Sequence, residues 1–191
     1  MLRLFAAIAL VSSLVYGGEH EYAGPVSLGP VHIDKPSLLS RVLSELGKPN
    51  LPSARSYCFE SEDHKVFVWF DTLAHHDSLV GDVLIGGSAN CLDHTVNAVP
   101  SESLLWKTRQ GITVGSTVDD VLDAYGKPSS EEKVSGNSYW WIIHGAAPKP
   151  VKAAERGSSV LVYRGDSTDL RTAQFGVREG RVVWIFLSCN E

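Results

Sequence analysis

The chain has 191 residues, of which 43% are hydrophobic and 20% are charged, and this composition is typical of a folded protein, not a disordered one. The formal net charge of −5 disfavours non-specific binding to nucleic acid or to anionic membranes, since both require a basic surface. The length is sufficient for one or two small domains with a buried core.

The N-terminus has the pattern of a secretory signal peptide, predicted over residues 1–18. Arg3 supplies a positive charge, the run Leu4–Val15 is apolar except for two serines, and Gly17 offers a small residue for cleavage. A membrane anchor is the alternative, but the run is shorter than the roughly 18 apolar residues that a spanning helix needs. We therefore expect an exported protein, secreted or periplasmic, without an integral membrane span.

A first helix is predicted to begin near Ser37, after a loose lead-in over residues 19–30 that is rich in glycine and proline. Gly47 supplies the conformation that ends a helix, and Pro49 prevents its continuation. The apolar residues between them recur with helical spacing and form one face: Leu39, Val42, Leu43 and Leu46.

The second helix is predicted to begin after Thr117, whose side chain and that of Asp120 have the spacing of a capping box. Gly126 and Pro128 end this helix as Gly47 and Pro49 end the first one. Its predicted apolar face comprises Val118, Val121, Leu122 and Tyr125.

Strand-like periodicity follows each helix. In the first half, residues 55–60 and 65–71 flank the polar residues 61–64 as a predicted hairpin, and residues 82–86 form a third strand. In the second half the predicted strands are 138–144, 159–164, 171–177 and 181–188, the last two joined by a short turn that contains glycine.

The two helices and their flanking residues repeat one another. Residues 33–49 align without gaps with residues 112–128, and seven of the seventeen positions are identical, which predicts a duplicated supersecondary unit. We divide the chain accordingly into a signal peptide (1–18), a lead-in (19–30), a diverged first repeat (31–99), a linker (100–110) and a second repeat (111–191).

The second repeat resembles the BamE/SmpA-type domain, whose fold also forms the tandem repeats of β-lactamase inhibitor protein. The resemblance lies in Ile112-Thr-Val-Gly-Ser-Thr-Val-Asp-Asp-Val-Leu, in Gly126-Lys-Pro and in the strand that contains Phe175-Gly-Val-Arg-Glu-Gly-Arg-Val-Val. It implies an α+β fold of two helix-plus-antiparallel-sheet units, and a family known for protein binding and not for catalysis. BamE proteins carry a lipidated cysteine directly after the signal peptide, and this sequence has none at that position.

The three cysteines are candidates for one disulfide and one remaining thiol, since export places them in an oxidising compartment. A bond between Cys58 and Cys91 would staple the first half, and a bond between Cys91 and Cys189 would join the two halves. The sequence leaves the three pairings open, and we favour Cys58 with Cys91.

Histidine, cysteine and aspartate side chains in the first half raise the question of a metal site. His75 and His76 are adjacent, and Cys91 and His94 lie close in sequence, but neither pair has an established zinc-binding spacing. The chain also contains no nucleophile elbow, no zincin motif and no recognisable protease cysteine. We therefore predict no catalytic residue, no metal and no cofactor, and regard the protein as a non-enzyme.

Aromatic side chains are dense on strands that are apolar on both faces. A sheet covered by helices on one side would normally alternate apolar and polar residues, so the second face also requires a cover. If the aromatic faces coincide and stay exposed, they would form a platform for a protein partner, since Trp and Tyr dominate binding hot spots. The alternative is that the repeats or a loop bury them as ordinary core. The candidate partner-binding residues are Trp69, Tyr139, Trp141, Trp184 and Phe186.

The sequence thus predicts an exported, non-catalytic protein-binding module, inhibitor-like in character, that contacts another exported protein through its aromatic sheet face. A structural or scaffolding protein of the cell envelope is the alternative, and the exposure of Trp141 and Trp184 distinguishes the two. A third alternative, a small hydrolase or metal protein, would require the histidines and Cys91 to converge in space.

Overall fold

The structure is a computed structural model that describes residues 22–35, 37–47, 56–73, 75–86, 96–133, 159–165 and 170–189. The predicted signal peptide and the predicted strand 138–144 lie outside the described residues. Within the described ranges, no helix has the length and hydropathy that crossing a bilayer requires.

The first half begins with a short antiparallel pair formed by β1 (Ser27–Leu28) and β2 (Val31–His32). The predicted lead-in is therefore not loose where it is described, and Leu28 is fully buried. A two-residue strand, β3 (Ser37–Leu38), leads directly into α1 (Leu39–Leu46). The first predicted helix is confirmed, and it ends where the sequence indicates.

Three longer strands follow α1 along the chain. The turn residue His64, at φ 56°, closes the predicted hairpin, with the Ser61 hydroxyl donating to Asp63 Oδ1 at 2.7 Å. The strands are β4 (Ser56–Ser61), β5 (Phe67–Leu73) and β6 (His76–Gly86), the last longer than predicted. They are followed by an unpredicted strand, β7 (Val96–Val99), and a 3₁₀ turn (Ser101–Leu104).

The second half contains α2 (Val118–Tyr125), which confirms the predicted second helix and its capping box. The Thr117 amide donates to Asp120 Oδ2 at 2.7 Å, and the Asp120 amide donates to Thr117 Oγ1 at 3.1 Å. An unpredicted strand, β8 (Ser130–Lys133), comes next, and the predicted strands are confirmed as β9 (Ser159–Arg164), β10 (Arg171–Arg178) and β11 (Arg181–Cys189).

The prediction of an α+β fold made of two helix-plus-antiparallel-sheet units is wrong. The described chain is mostly β, and β3 to β11 form one nine-stranded sheet in the order β7-β4-β5-β6-β11-β10-β9-β8, with β3 paired to β6. The sheet is mixed because β7 runs parallel to β4. The two halves join where β6 pairs with β11, from Trp184 opposite Gly86 to Ser188 opposite Asp82.

The physical reason for this continuity lies in the residues of the joining strands. Both β6 and β11 are buried over most of their length, so an unpaired edge on either would leave backbone N–H and C=O groups shielded from water without partners. Pairing β6 with β11 gives those backbone groups hydrogen-bond partners and removes two exposed strand edges that could pair with other chains. Two separate units would have left both edges open.

The helices pack on one side of this sheet, which we call the helix-side face. Val42 and Leu46 of α1 and Val121 and Tyr125 of α2 are buried there against a single apolar core. The sheet contributes alternate residues of its strands to this core: Tyr57, Phe59, Val68, Phe70, Val83, Ile85, Leu161, Tyr163, Ala173, Phe175, Ile185 and Leu187.

Candidate functional site

The other side of the sheet, which we call the opposite face, carries a second apolar cluster. The register places its members in cross-strand rows, with Cys58 opposite Trp69, Trp69 opposite Leu84, and Leu84 opposite Phe186. Every buried member among the described residues is a strand side chain. These eight residues form the opposite-face band: Cys58, Phe67, Trp69, Leu84, Val160, Val162, Trp184 and Phe186.

Three of the five predicted partner-binding residues belong to this band. The exposed fractions of Trp69, Trp184 and Phe186 are 2%, 6% and 3%, so these side chains lie together on one face but do not form an open platform. Tyr139 and Trp141 lie outside the described residues. Trp69, Trp184 and Phe186 are therefore too buried to serve as an exposed contact surface for a partner.

Two aromatic rings of the band lie flat against glycine backbone. A Cβ at Gly176 would come within 2.6 Å of three atoms of the Trp184 indole, and a Cβ at Gly86 would come within 2.7 Å of two ring atoms of Phe67. Glycine is therefore required at both positions by close approach of a neighbouring ring. At these two positions the band is packed tightly against the strand backbone.

Buried polar atoms also point to the opposite face. Among the described residues, the indole nitrogens of Trp69 and Trp184 and the amide oxygen Oε1 of Gln174 have no hydrogen-bond partner. Gln174 lies opposite Phe186 in the register, and it is 2% exposed. Each unpaired buried group of this kind costs about 1–3 kcal/mol. Gln174 was not predictable from the sequence, because a single polar residue within an apolar strand carries no signal of its own.

The second predicted helix borders an open apolar groove on the helix-side face. The groove has a volume of about 350 Å³ and lies between α2, the residues that follow it, β8 and β9. Its apolar walls are Val118, Leu122, Pro128 and Leu161, and its polar rim is Lys127, Ser129, Ser130, Glu131 and Ser159. We call it the α2–β8 groove.

The C-terminal end of α2 is held by two tyrosines. The hydroxyl of Tyr125 bonds to Thr108 Oγ1 at 2.6 Å and to Gln110 Oε1 at 2.8 Å, and the hydroxyl of Tyr163 donates to the Gly126 carbonyl at 3.0 Å. Burial raises the pKa of each tyrosine to about 12. Both phenols therefore stay protonated and keep their hydrogen bonds at neutral pH.

The N-terminal end of α2 is tied to the turn between β10 and β11. The Gly115 amide donates to the Val182 carbonyl at 2.7 Å, and the Val118 amide donates to the Gly180 carbonyl at 3.0 Å. The Arg181 guanidinium adds a bond from Nη1 to the Gly115 carbonyl at 3.0 Å. Because hydrogen bonds hold both ends of α2 against the rest of the fold, the α2–β8 groove is pre-formed.

Two of the three histidines considered as metal ligands lie on the surface. His75 and His76 are both exposed, whereas Cys91 and His94 lie outside the described residues. The described part of the chain contains no group of three or more potential metal-ligating side chains. Nothing described brings these residues together as a site.

The cysteines lie on different faces of the sheet. Cys58 is disulfide-bonded and belongs to the opposite-face band, whereas Cys189 on β11 packs against the helix-side core. Two strands, β5 and β6, also separate β4 from β11. A Cys58–Cys189 bond is incompatible with this separation, since bridged cysteines have Cα atoms less than about 7 Å apart. Cys91 lies outside the described residues, so its pairing with Cys58 stays a prediction.

Comparisons with known proteins add one structural similarity. No protein-family model matches the chain, and no curated protein matches it. The crystal structure of a DUF4309 family protein, YjgB from Bacillus subtilis subsp. subtilis str. 168, is similar with a TM-score of 0.42 and 13% identity, over 84% of this chain and 82% of that one. The resemblance to BamE/SmpA-type domains stays a prediction.

Proposed function

We propose that the protein is an exported, non-catalytic protein-binding module, and that its partner docks in the α2–β8 groove. The observation that carries this proposal is the exposure of Leu122. This residue has the spacing of the apolar helix face, yet 37% of its surface is exposed beside an apolar groove.

The first repeat provides an internal comparison for Leu122. The equivalent residue in the aligned repeat is Leu43 of α1, which is half-buried and packs against the helix-side core. The same side chain at the same position of the repeat is therefore used for packing in α1 and lies at an open groove in α2. An exposed apolar residue beside a pre-formed pocket is typical of a site that binds an apolar side chain of a partner protein.

A structural or scaffolding role in the cell envelope is the second candidate. It is favoured by the burial of the sheet on both faces, since Trp184 is only 6% exposed. A scaffold needs a stable sheet and no pre-formed groove for a ligand. The two candidates therefore differ in whether the α2–β8 groove binds a peptide saturably.

Selection from a random peptide library displayed on phage, with the purified full chain as target, tests the proposal. Selected peptides are expected to bind wild type and to lose about tenfold or more in affinity on Leu122→Ser, as for a hot-spot residue. Leu105→Ser is the matched control, because Leu105 is 71% exposed and does not line the groove. Selection of no Leu122-dependent peptide would refute the groove as the binding site.

Export is tested separately. Mass spectrometry of the protein recovered from the producing cell is expected to find a new N-terminus after Gly17 or Gly18, where the predicted signal peptide ends. Recovery of the intact N-terminus from the cytoplasm would contradict export.

A further inference from the structure

The opposite-face band is buried, although the helices pack on the other side of the sheet. Cys58 on β4 and Trp69 on β5 lie opposite one another and are 1% and 2% exposed. Large side chains on a sheet face that packs against nothing would be partly open to water, so a second layer of chain has to lie over them. The described buried members of the band are all strand side chains and do not supply this layer.

The connection between β6 and β7, residues 87–95, has to pass this part of the sheet. The two strands run in the same direction, because β6 and β4 are each antiparallel to β5, and β7 is parallel to β4. The connection therefore passes β5 and β4, a lateral distance of about 14 Å at the usual strand spacing. An extended segment of this length spans about 30 Å, which is sufficient for a path across one face of the sheet.

The handedness of this connection selects the face. Ser61 points to the helix side, as Tyr57 and Phe59 do, and its amide donates to the Val66 carbonyl at 2.8 Å, directly before β5. In a strand of L-residues that runs upward with its side chain towards the viewer, the N–H group of that residue points to the right. Seen from the opposite face, β5 and β6 therefore lie to the left of β4, and β7 lies to its right. Parallel strands of one sheet have a right-handed connection in about 98% of cases, and a right-handed path from β6 to β7 runs over the opposite face.

The disulfide at Cys58 indicates the same face. Cys58 is disulfide-bonded, and its side chain belongs to the opposite-face band. Two strands separate Cys58 from Cys189, so Cys91 is the remaining partner among the three cysteines of the chain. Cys91 is the middle residue of the connection, five positions from both Gly86 and Val96. Bridged cysteines have Cα atoms less than about 7 Å apart, which a connection on the far side of the sheet would not allow.

The helix-side face of β4 and β5 is already filled. The ring centroids of Tyr57 and Phe59 lie 5.2 Å and 5.9 Å from that of Phe70. Leu104 of the 3₁₀ turn is 1% exposed in the same core. A second segment on this face would have to displace close-packed side chains.

We infer that residues 87–95 cross the opposite face over β5 and β4, and that a Cys58–Cys91 disulfide holds them there against Trp69. This contact lies within the chain and is independent of the α2–β8 groove on the helix-side face. Forming the bond removes one proton and one electron from each thiol, and a disulfide oxidant in an oxidising compartment accepts them and becomes a dithiol. Oxidation is therefore the step that fixes this part of the second layer on the sheet.

Site-specific photo-crosslinking in the oxidised full chain tests the path of the connection. Asn90 is replaced by p-benzoylphenylalanine, and tandem mass spectrometry of the irradiated and digested protein locates the crosslinked residues. Crosslinks are expected to opposite-face side chains of β4 and β5, such as Glu60, Phe67 and Trp69. The same photoreactive residue in place of Leu105 is the matched control, because Leu105 is 71% exposed directly after the 3₁₀ turn. The control is expected to give none of these crosslinks.

Reduction tests the role of the disulfide. Dithiothreitol exchanges with the bond and becomes a cyclic disulfide, while Cys58 and Cys91 become thiols. The crosslinks from position 90 to the opposite face are expected to be lost in the reduced protein and in Cys58→Ser. They are expected to be retained in Cys189→Ser, the matched control, because Cys189 packs on the helix-side face. Circular dichroism checks that each protein keeps its fold, and the reduced wild type decides the question if Cys58→Ser does not fold.

The possible outcomes divide clearly. Crosslinks from position 90 to α1 or to the 3₁₀ turn would overturn the inference, as would the absence of any crosslink within the chain. Crosslinks to the opposite face that persist unchanged after complete reduction would overturn the role of the disulfide. None of these results affects the proposed function, whose test is the selection of Leu122-dependent peptides.

Discussion

Replacing Gly176 with alanine tests how closely the opposite-face band is packed. The added methyl group would lie within 2.6 Å of three atoms of the Trp184 indole, far inside the distance at which carbon atoms make favourable contact. Overpacking of a core costs about 1–3 kcal/mol. Since the clash is with a rigid ring, we expect Gly176→Ala to lower the free energy of unfolding by about 2–3 kcal/mol, measured by urea denaturation.

Two further variants decide whether the ring contact is the cause. Gly180→Ala is the control, because Gly180 has φ 72° and no atom within 4 Å of the added Cβ, so it costs only about 1 kcal/mol of backbone strain. In the background of Trp184→Leu, the cost of Gly176→Ala is expected to fall below about 1 kcal/mol, because the clashing ring is gone. An equal cost of Gly176→Ala in both backgrounds would refute the packing described for this band.

Four further predictions concern individual residues. Peptide mapping of the unreduced chain is expected to recover Cys58 linked to Cys91 and Cys189 as a thiol, and a Cys58–Cys189 peptide would contradict their placement on opposite faces. Thr117→Ala is expected to lower the free energy of unfolding by about 1 kcal/mol, because the capping box is lost. The Thr117 amide holds the pKa of Asp120 below its ordinary value of 3.8. The contribution of this carboxylate to stability is therefore fully present above pH 3.8 and is lost as the pH falls through the lowered pKa. The urea midpoints of wild type and Asp120→Asn should converge in acid. Burial raises the pKa of Tyr125 and Tyr163 from 10.0 to about 12, so stability should fall between these pH values, and ultraviolet titration that shows every tyrosine ionising near pH 10 in the folded protein would contradict this.

The helices were predictable because their signals are local. The apolar spacing, the capping residues Thr117 and Asp120, and the stop at Gly126 all lie within about three turns of chain. The hairpin strands β10 and β11 were predictable for the same reason, since a short turn links them. Features that depend only on neighbouring residues can be read from a single sequence.

The sheet order was not predictable, because alternation identifies a strand without identifying its neighbours. The pairing of β6 with β11 joins residues far apart in sequence, and neither strand carries a sequence signal that identifies the other as its partner. β8 was missed for a different reason: Ser130-Glu-Glu-Lys has little strand propensity and gives no strand signal of its own. The prediction of two separate units followed from treating each repeat as complete.

The candidate site shows the same limit. Leu122 was predicted as part of an apolar face, and helical spacing does place it beside Val121 and Tyr125. Helical spacing does not show how much of the helix surface the sheet buries. Here Val121 and Tyr125 are buried, whereas Leu122 remains exposed. For the aromatic residues, the sequence does not decide between exposure and burial. Strands that are apolar on both faces are consistent with an open binding surface and with a second buried core. Burial of Trp69 and Trp184 is set by the tertiary structure alone.

The central position of β11 has a consequence for how the chain is made. β11 is the last described strand, yet it lies between β6 and β10 in the middle of the sheet. During synthesis, β6 has no partner on that side until β11 emerges roughly a hundred residues later, and such long-range pairing slows folding. Until then an apolar strand edge is open to other chains. We expect the nascent protein to depend on chaperones that shield strand edges, and fragments that end before β11 to aggregate.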